Sequence, residues 1–423
     1  MKLWKKIKDL YECVGPGFIT GAADDDPSGV ATYSIAGAQF GYKLNWLTLF
    51  LLPAMISIQE MCGRIGMLTG RGLAGVIKKY YSKKLAWFAV TLLIIANVIN
   101  IGADLGIIAA SLNMLFGWDT YVSLAITAAA LTLLEIFVSY QKYSKYLKWL
   151  GLSLIVYVIT AFMVKQDWGT VLSNFVIPKI EFNMTYLMTM VGFLGTTISP
   201  YLFFWQASEE VEEEINDHNI SDFREVPEVN SRRVDRMRMD TVVGMVFSNL
   251  MTFFIIITTA ATLHANGIFN IETPQEAALA LKPLAGDFAY WLFAIGIIGI
   301  GLQSIPVLAG SVAYATSETL DMSEGLSKRF MQAKGFYLIL ALATLAGVLI
   351  NMLGINTIKA LYYAAIVNGV VAVPLIAIII KLSSDDRIVG KFKTGKKMKA
   401  IAWATFIFML LAVVLMIWSL IRG

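Results

Sequence analysis

Charge is what this chain has least of. Only 15% of its 423 residues are Asp, Glu, Lys or Arg, 57% are hydrophobic, and the mean hydropathy is +0.67. A soluble domain carries about 25% charged residues. An aqueous fold would leave large apolar surfaces in water, so the default class is a polytopic membrane protein. Cysteine is nearly absent: Cys13 and Cys62 are isolated, which argues against a disulfide framework and says little about redox compartment. The two histidines, His218 and His264, are too far apart in sequence to make a metal cluster. The basic start MKLWKKIKDLYE is not followed by a short apolar run with a small-residue cleavage site, so no cleavable signal is expected. The net charge of +4 is uninformative in bulk, and no nucleic-acid partner is expected.

What is plentiful is long apolar sequence. A bilayer-spanning helix needs about 20 mostly apolar residues. Eleven such segments are expected, near 14–38, 45–68, 86–115, 121–140, 148–164, 185–207, 240–264, 287–318, 332–352, 356–380 and 399–420. With the N-terminus inside, 28 of the 34 Lys and Arg residues fall in inside loops. Lys2, Lys5, Lys6, Lys8, Lys142, Lys145 and Lys148 are among them. Only Lys43, Lys165, Lys179, Lys282, Lys359 and Arg422 fall outside. That asymmetry supports both the count and a cytoplasmic N-terminus with an extracellular C-terminus. The acidic and basic run 208–239 is too polar to cross and reads as a solvated cytoplasmic connector. Glu209 and Glu210, nearest segment 6, could instead line an ion exit.

Segments 1 and 6 are interrupted by polar residues and proline, DDDPSG in one and TTISPY in the other. Five segments is an odd number, so halves 1–5 and 6–10 must be inverted relative to one another. Paired interrupted helices at matching positions point to an inverted-repeat transporter. The first repeat spans 14–164 and the second 185–380, and 399–420 is an extra helix. All belong to one transmembrane domain over 1–423.

The breaks carry the chemistry. Backbone that leaves the helix at membrane depth must be satisfied by protein or a water-filled cavity. Pro27 lacks an N–H and Gly29 tolerates unusual backbone angles, so together they unwind the helix and free carbonyls. A carboxylate at that depth costs about 3 kcal/mol or more and marks a functional site. Asp26, beside the break, is the expected ion anchor. Asp24 and Asp25 are further candidates for the metal site, against a placement in a hydrated vestibule or in structural hydrogen bonds. Segment 6 offers Thr196, Ser199 and Tyr201 around Pro200. The breaks contain no Cys, Met or His, and oxygen donors suit hard ions such as Mg²⁺ and Ca²⁺. Small neighbours leave room for a Mg²⁺ that sheds water reluctantly. Asp104, Gln303 and Asn368 lie within segments 3, 8 and 10. Each suits either the same cavity or an interhelical hydrogen bond. Glu60 and Glu135 lie nearer segment ends, where a charge reaches the interface.

GPGFITGAADDDPSG resembles the first helix of the Nramp family of divalent-metal transporters, whose pattern there is Gly-Pro-Gly and then Asp-Pro-Gly-Asn. RIGMLTGRGLA, residues 64–74, is similar to the family's segment after helix 2, and GADLG matches its helix 3 aspartate. GTTISPY stands at its helix 6 Met-Pro-His-Asn motif. The resemblance runs through segments 1–10 and implies a LeuT-like fold with alternating-access metal transport. Asp26 keeps the metal-binding aspartate. The departures are Gly29 for the family's Asn, Thr196 for an Ala, Ser199 for the coordinating Met and Tyr201 for the His. Ile107 replaces an acidic residue, and segment 9 lacks the arginines of proton-coupled members. This pattern resembles the Nramp-related magnesium transporters, which carry Mg²⁺, accept Mn²⁺ and lack proton coupling.

The expectation is an all-α plasma-membrane transporter of eleven helices carrying Mg²⁺, and also Mn²⁺, as substrate. It has no cofactor and no obligatory protein partner beyond the lipid bilayer. The alternative is a proton-coupled Mn²⁺/Fe²⁺ importer with Asp26 and Asp104 sharing the proton. A Na⁺-coupled organic-solute carrier is disfavoured by three aspartates at the break. An intramembrane aspartyl protease lacks a second matched motif, so no enzyme is expected. A metal sensor lacks an output domain.

Overall fold

The computed structural model describes residues 15–138 and 152–422. The lysines at 2, 5, 6, 8, 142, 145 and 148, and Cys13, lie outside the described residues. In chain order the α-helices are α1 (Pro16–Asp24), α2 (Pro27–Phe40), α3 (Trp46–Thr69), α4 (Leu73–Tyr80), α5 (Lys83–Phe116), α6 (Thr120–Phe137), α7 (Ile155–Met163), α8 (Trp168–Val176) and α9 (Met184–Thr197). They continue with α10 (Pro200–Asn216), α11 (Ser231–Thr262), α12 (Pro274–Ala278), α13 (Lys282–Ala285), α14 (Ala289–Leu320), α15 (Lys334–Asn351), α16 (Thr357–Leu382), α17 (Asp386–Val389) and α18 (Lys396–Arg422). There is no strand among the described residues.

By length and composition, nine helices among the described residues could cross a membrane, and they match expected segments 2–4 and 6–11. Segment 1, whose break divides it into helices of 9 and 14 residues, is missing from the nine because three aspartates, Asp24–Asp26, interrupt its apolar run. Segment 5 is described only from residue 152, as a 3₁₀ turn leading into α7.

The two breaks are built alike. Asp26 is the N-cap of α2 with Pro27 at its first position; Ser199 is the N-cap of α10 with Pro200 at its first position. Proline fits there because the first helical N–H has no partner within the helix. Each break is two residues long, Asp25–Asp26 and Ile198–Ser199. The α9–α10 pair lies at the centre, with 94% of its apolar stretch buried, whereas α6, α15 and α18 are only 33% buried and form the outside.

Small residues bring backbones into contact around the breaks, as in membrane helix pairs generally. A Cβ on Gly21 of α1 would lie 2.3 Å from the Gly244 carbonyl of α11. One on Gly195 of α9 would lie 2.1 Å from the Gly369 nitrogen of α16. The N-terminus of α1 is held by Asp240 of α11, which accepts from the backbone N–H of Gly15 (2.9 Å), Gly17 (2.7 Å) and Phe18 (3.2 Å).

Loops that the charge pattern groups together do meet. The Arg224 N–H donates to the Gly70 carbonyl, the Arg224 guanidinium to the Met322 carbonyl, and Arg64 to the carbonyls of Phe392 and Lys393. At the opposite end Lys43 pairs with Glu181 and Lys359 with Glu272. The connector differs from expectation. Its first residues continue α10 to Asn216 and its last begin α11 at Ser231, and Glu209, Glu210, Glu212 and Glu214 are buried rather than solvated. Partners make the burial of Glu212 and Glu214 tolerable. Glu212 accepts from the Tyr314 hydroxyl and the Leu326 N–H, and Glu214 pairs with Arg233 at 2.6 Å. Glu60 is likewise fully buried, between Arg64 and Arg238, and Glu135 is buried too.

Candidate metal centre

Helix α1 ends at Asp24 and α2 starts at Pro27, which leaves Asp26 in extended backbone with its carboxylate over the first turn of α2. One oxygen, Oδ1, accepts from the Gly29 N–H (2.6 Å) and the Ser28 hydroxyl (2.8 Å). The other, Oδ2, accepts from the Asn100 amide of α5 at 2.7 Å. Asp26 is 1% exposed, and no described cation pairs with it.

Gly29 makes room beside this carboxylate. A Cβ there would stand 2.9 Å from Thr196 Oγ1 and 3.3 Å from Asp26 Oδ1. Asp26, Gly29 and Thr196 are therefore brought together across the two breaks. Thr196 Oγ1 is buried without a hydrogen-bond partner. Gln303 Oε1, both amide atoms of Asn368, Asp104 Oδ1 and Asn100 Oδ1 are also buried and unpartnered. Leaving such a group unsatisfied costs about 1–3 kcal/mol. Thr196 Oγ1 and Asn100 Oδ1, both beside the Asp26 carboxylate, are unfilled acceptors that suit water or a hydrated ion. Gln303 adjoins Ser304, whose hydroxyl donates to Asp104 (3.2 Å), and Asn368 adjoins Gly369 at the α9 contact. Among the described residues no hydrogen bond joins either amide to Asp26.

Two expected ligands are otherwise engaged. The Ser199 hydroxyl turns back to the carbonyls of Gly195 (2.9 Å) and Thr196 (2.7 Å). The single hydroxyl hydrogen satisfies one of those carbonyls at a time and leaves the other available at the end of α9, and Ser199 keeps only lone pairs to offer. The Tyr201 hydroxyl donates to the Ala23 carbonyl at 2.7 Å, so it ties α10 to α1 and takes up a carbonyl that the break would otherwise expose. Asp24 and Asp25 are fully buried and contact α11 through Ser248. Asn100 was not singled out from sequence. Its signal is the spacing Asn100–Asp104, one turn apart on one helix face.

Among the described residues no three or more His, Cys, Asp and Glu side chains are grouped to hold a metal ion. The donors at the breaks are instead a carboxylate, hydroxyls and amides. The family model described as Natural resistance-associated macrophage protein-like, Nramp, matches residues 17–419. The chain belongs to the Nramp family. Its Nramp relatives include a protein of Ralstonia nicotianae named divalent metal cation transporter MntH. That relative is 26% identical over 440 residues, covering 100% of this chain and 93% of its own. Among solved structures, the Eremococcus coleocola manganese transporter has a TM-score of 0.75 at 17% identity, covering 97% of this chain and 86% of that one. Mhp1, a nucleobase-cation-symport-1 family transporter in a closed conformation, scores 0.63 at 12% identity, covering 96% and 92%. These likenesses establish the LeuT-like inverted-repeat fold with broken helices 1 and 6. This Nramp chain is a membrane-spanning transporter and not an enzyme, with metal as cargo rather than cofactor.

Proposed function

We propose that this transporter carries divalent metal ions, Mg²⁺ first and Mn²⁺ also, inward across the plasma membrane by alternating access and without proton coupling. The observation that carries the reading is the donor set at the two breaks: Asp26 as the one carboxylate beside Thr196 Oγ1, with Gly29 leaving space between them and no sulfur at either break. Asp26 binds the ion. Thr196 Oγ1, the Ser199 lone pairs and the amides of Gln303 and Asn368 receive its water shell. Mg²⁺ keeps several waters and is commonly held through one or two carboxylates, which fits a buried centre with many unfilled acceptors. A thioether would favour softer ions.

Energetically the membrane potential is enough. A dication moving inward along 100 mV, inside negative, gains about 4.6 kcal/mol, twice the single-charge value. The basic loops that gather at one end favour placing that end, and the N-terminus, in the cytoplasm. Rocking of segments 1, 2, 6 and 7 against the rest would open the centre to each side in turn.

The second reading is a proton-coupled Mn²⁺/Fe²⁺ importer. It is favoured by the names of the Ralstonia nicotianae relative and the Eremococcus coleocola structure, and by an unpartnered Asp104 Oδ1 that could take a proton. Proteoliposomes separate the two. With an inside-negative K⁺ diffusion potential, Mg²⁺ and Mn²⁺ should enter without acidifying the lumen. Acidification that tracks Mn²⁺ entry, with no Mg²⁺ influx, would establish the second reading.

A further inference from the structure

The three carboxylates at the first break do not share partners. Asp26 faces α5 through Asn100. Asp24 and Asp25 face α11. The Ser248 hydroxyl lies 2.6 Å from Asp24 Oδ2 and 3.3 Å from Asp25 Oδ1, and the Thr252 hydroxyl lies 3.5 Å from Asp25 Oδ1. One hydroxyl carries one hydrogen, so Ser248 cannot donate to both carboxylates at once. Asp24 and Asp25 are each 0% exposed. Asp24 Oδ1 and Asp25 Oδ2 have no hydrogen-bond partner, and among the described residues neither side chain forms an ion pair.

Their placement makes the imbalance worse. Both sit at the C-terminal end of α1, where the helix dipole is negative and where a cation, not a carboxylate, is favoured. Buried charges persist when paired or when they coordinate metal. The nearby groups on α11 are hydroxyls, which cannot neutralise two carboxylates. A hard dication would do so with an all-oxygen donor set.

We infer that Asp24, Asp25, Ser248 and Thr252 form a second divalent-cation site, distinct from the Asp26 centre, in the seam between the first break and α11. It gives an ion leaving Asp26 a neighbouring resting place on the α1 side of the break. The inference rests on reading that break as metal-binding, but it uses none of the groups that hold Asp26.

The test uses the purified full-length protein and Mn²⁺ as a spin probe, with Mg²⁺ and Na⁺ as competitors. Asp26→Asn removes the first centre. This variant should still bind one Mn²⁺ per chain, displaced by Mg²⁺ and not by Na⁺. That ion should be lost when Asp24→Asn and Asp25→Asn are added. Ser248→Ala in the Asp26→Asn background should weaken it about tenfold, the effect of one hydrogen bond to a charged group. Ser248→Ala keeps both carboxylates and a small side chain, so it decides the matter if the triple variant fails to fold by gel filtration. An Asp26→Asn protein that binds no Mn²⁺, or whose Mn²⁺ is indifferent to Ser248→Ala and to the aspartate changes, overturns the inference. So does displacement by Na⁺ instead of Mg²⁺. Persistent Mg²⁺ transport by Asp26→Asn would instead refute the role of Asp26 and leave the second site standing.

Discussion

Asp26 both caps α2 and carries the charge at the break, and two substitutions separate these roles. Asparagine caps a helix as well as aspartate does, whereas alanine loses about 0.5–2 kcal/mol. Asp26→Asn and Asp26→Ala should both abolish metal influx in proteoliposomes, but only Asp26→Ala should lower the thermal unfolding midpoint. Gly29→Asn with Ser199→Met adds an amide beside Thr196 and a thioether at the second break. Mg²⁺ influx should fall and preference should shift toward Mn²⁺ in competition assays; undiminished Mg²⁺ influx would refute the hydrated-ion reading. Glu324 lies in the loop after α14, outside the spans, and is 1% exposed. Burial, then the Glu318 carboxylate, pushes its carboxyl well above the usual range, partly offset by Arg224 and Lys328. A folded-state pKa above the unfolded one means stability is present at low pH and lost as pH rises through the folded value. Glu324→Gln should therefore raise the unfolding midpoint at pH 8 and change it little at pH 4.

At the scale of the element, the close contacts made by glycine are what hold the broken helices. Helix α1 is nine residues long and too short to stand alone. It is anchored by Asp240 at its start and by the Gly21–Gly244 contact along its length. Gly21→Val should force the two backbones apart and cost about 1–3 kcal/mol, the usual range for overpacking. Thermal unfolding in detergent checks this, and an unchanged midpoint would mean that α1 can shift without loss. The existence of both breaks was legible in DDDPSG and TTISPY, where a proline follows a polar run; proline alone is no such signal, since Pro53, Pro306 and Pro374 lie within α3, α14 and α16. What fills the freed carbonyls was not legible. Ser199 and Tyr201 were expected as ligands because they carry oxygen, yet Ser199 donates to the carbonyl of Gly195 or Thr196 and Tyr201 to that of Ala23. Only the packing of α9 and α10 on α1 decides which acceptor lies within reach.

For the whole molecule, the testable property is orientation. A single cysteine placed at Lys328 should react with an impermeant thiol reagent only from the cytoplasm, and one at Lys43 only from outside. Cys13 is first replaced by Ser, and Cys62 is buried and adds little background. The reverse labelling would refute a cytoplasmic N-terminus, but not the direction of influx, which the sign of the membrane potential sets. The loops around Gly70, Arg224, Met322 and Phe392 do converge on one face, as the lysine and arginine count requires. The run 208–239 misled because charge was equated with solvent. Within it Glu212 and Glu214 find Tyr314, Leu326 and Arg233, which sequence distance conceals.

The sequence by itself determined the class, the places of nine of the spans and the places of the breaks. Apolar length, the distribution of basic residues and the conformational limits of proline are local properties that need no partner. The tertiary structure decided which polar groups face one another: Asn100 against Asp26, Thr196 across Gly29, and Ser248 between Asp24 and Asp25. Those contacts join residues far apart in the chain, and helix packing, not spacing along the sequence, sets their geometry.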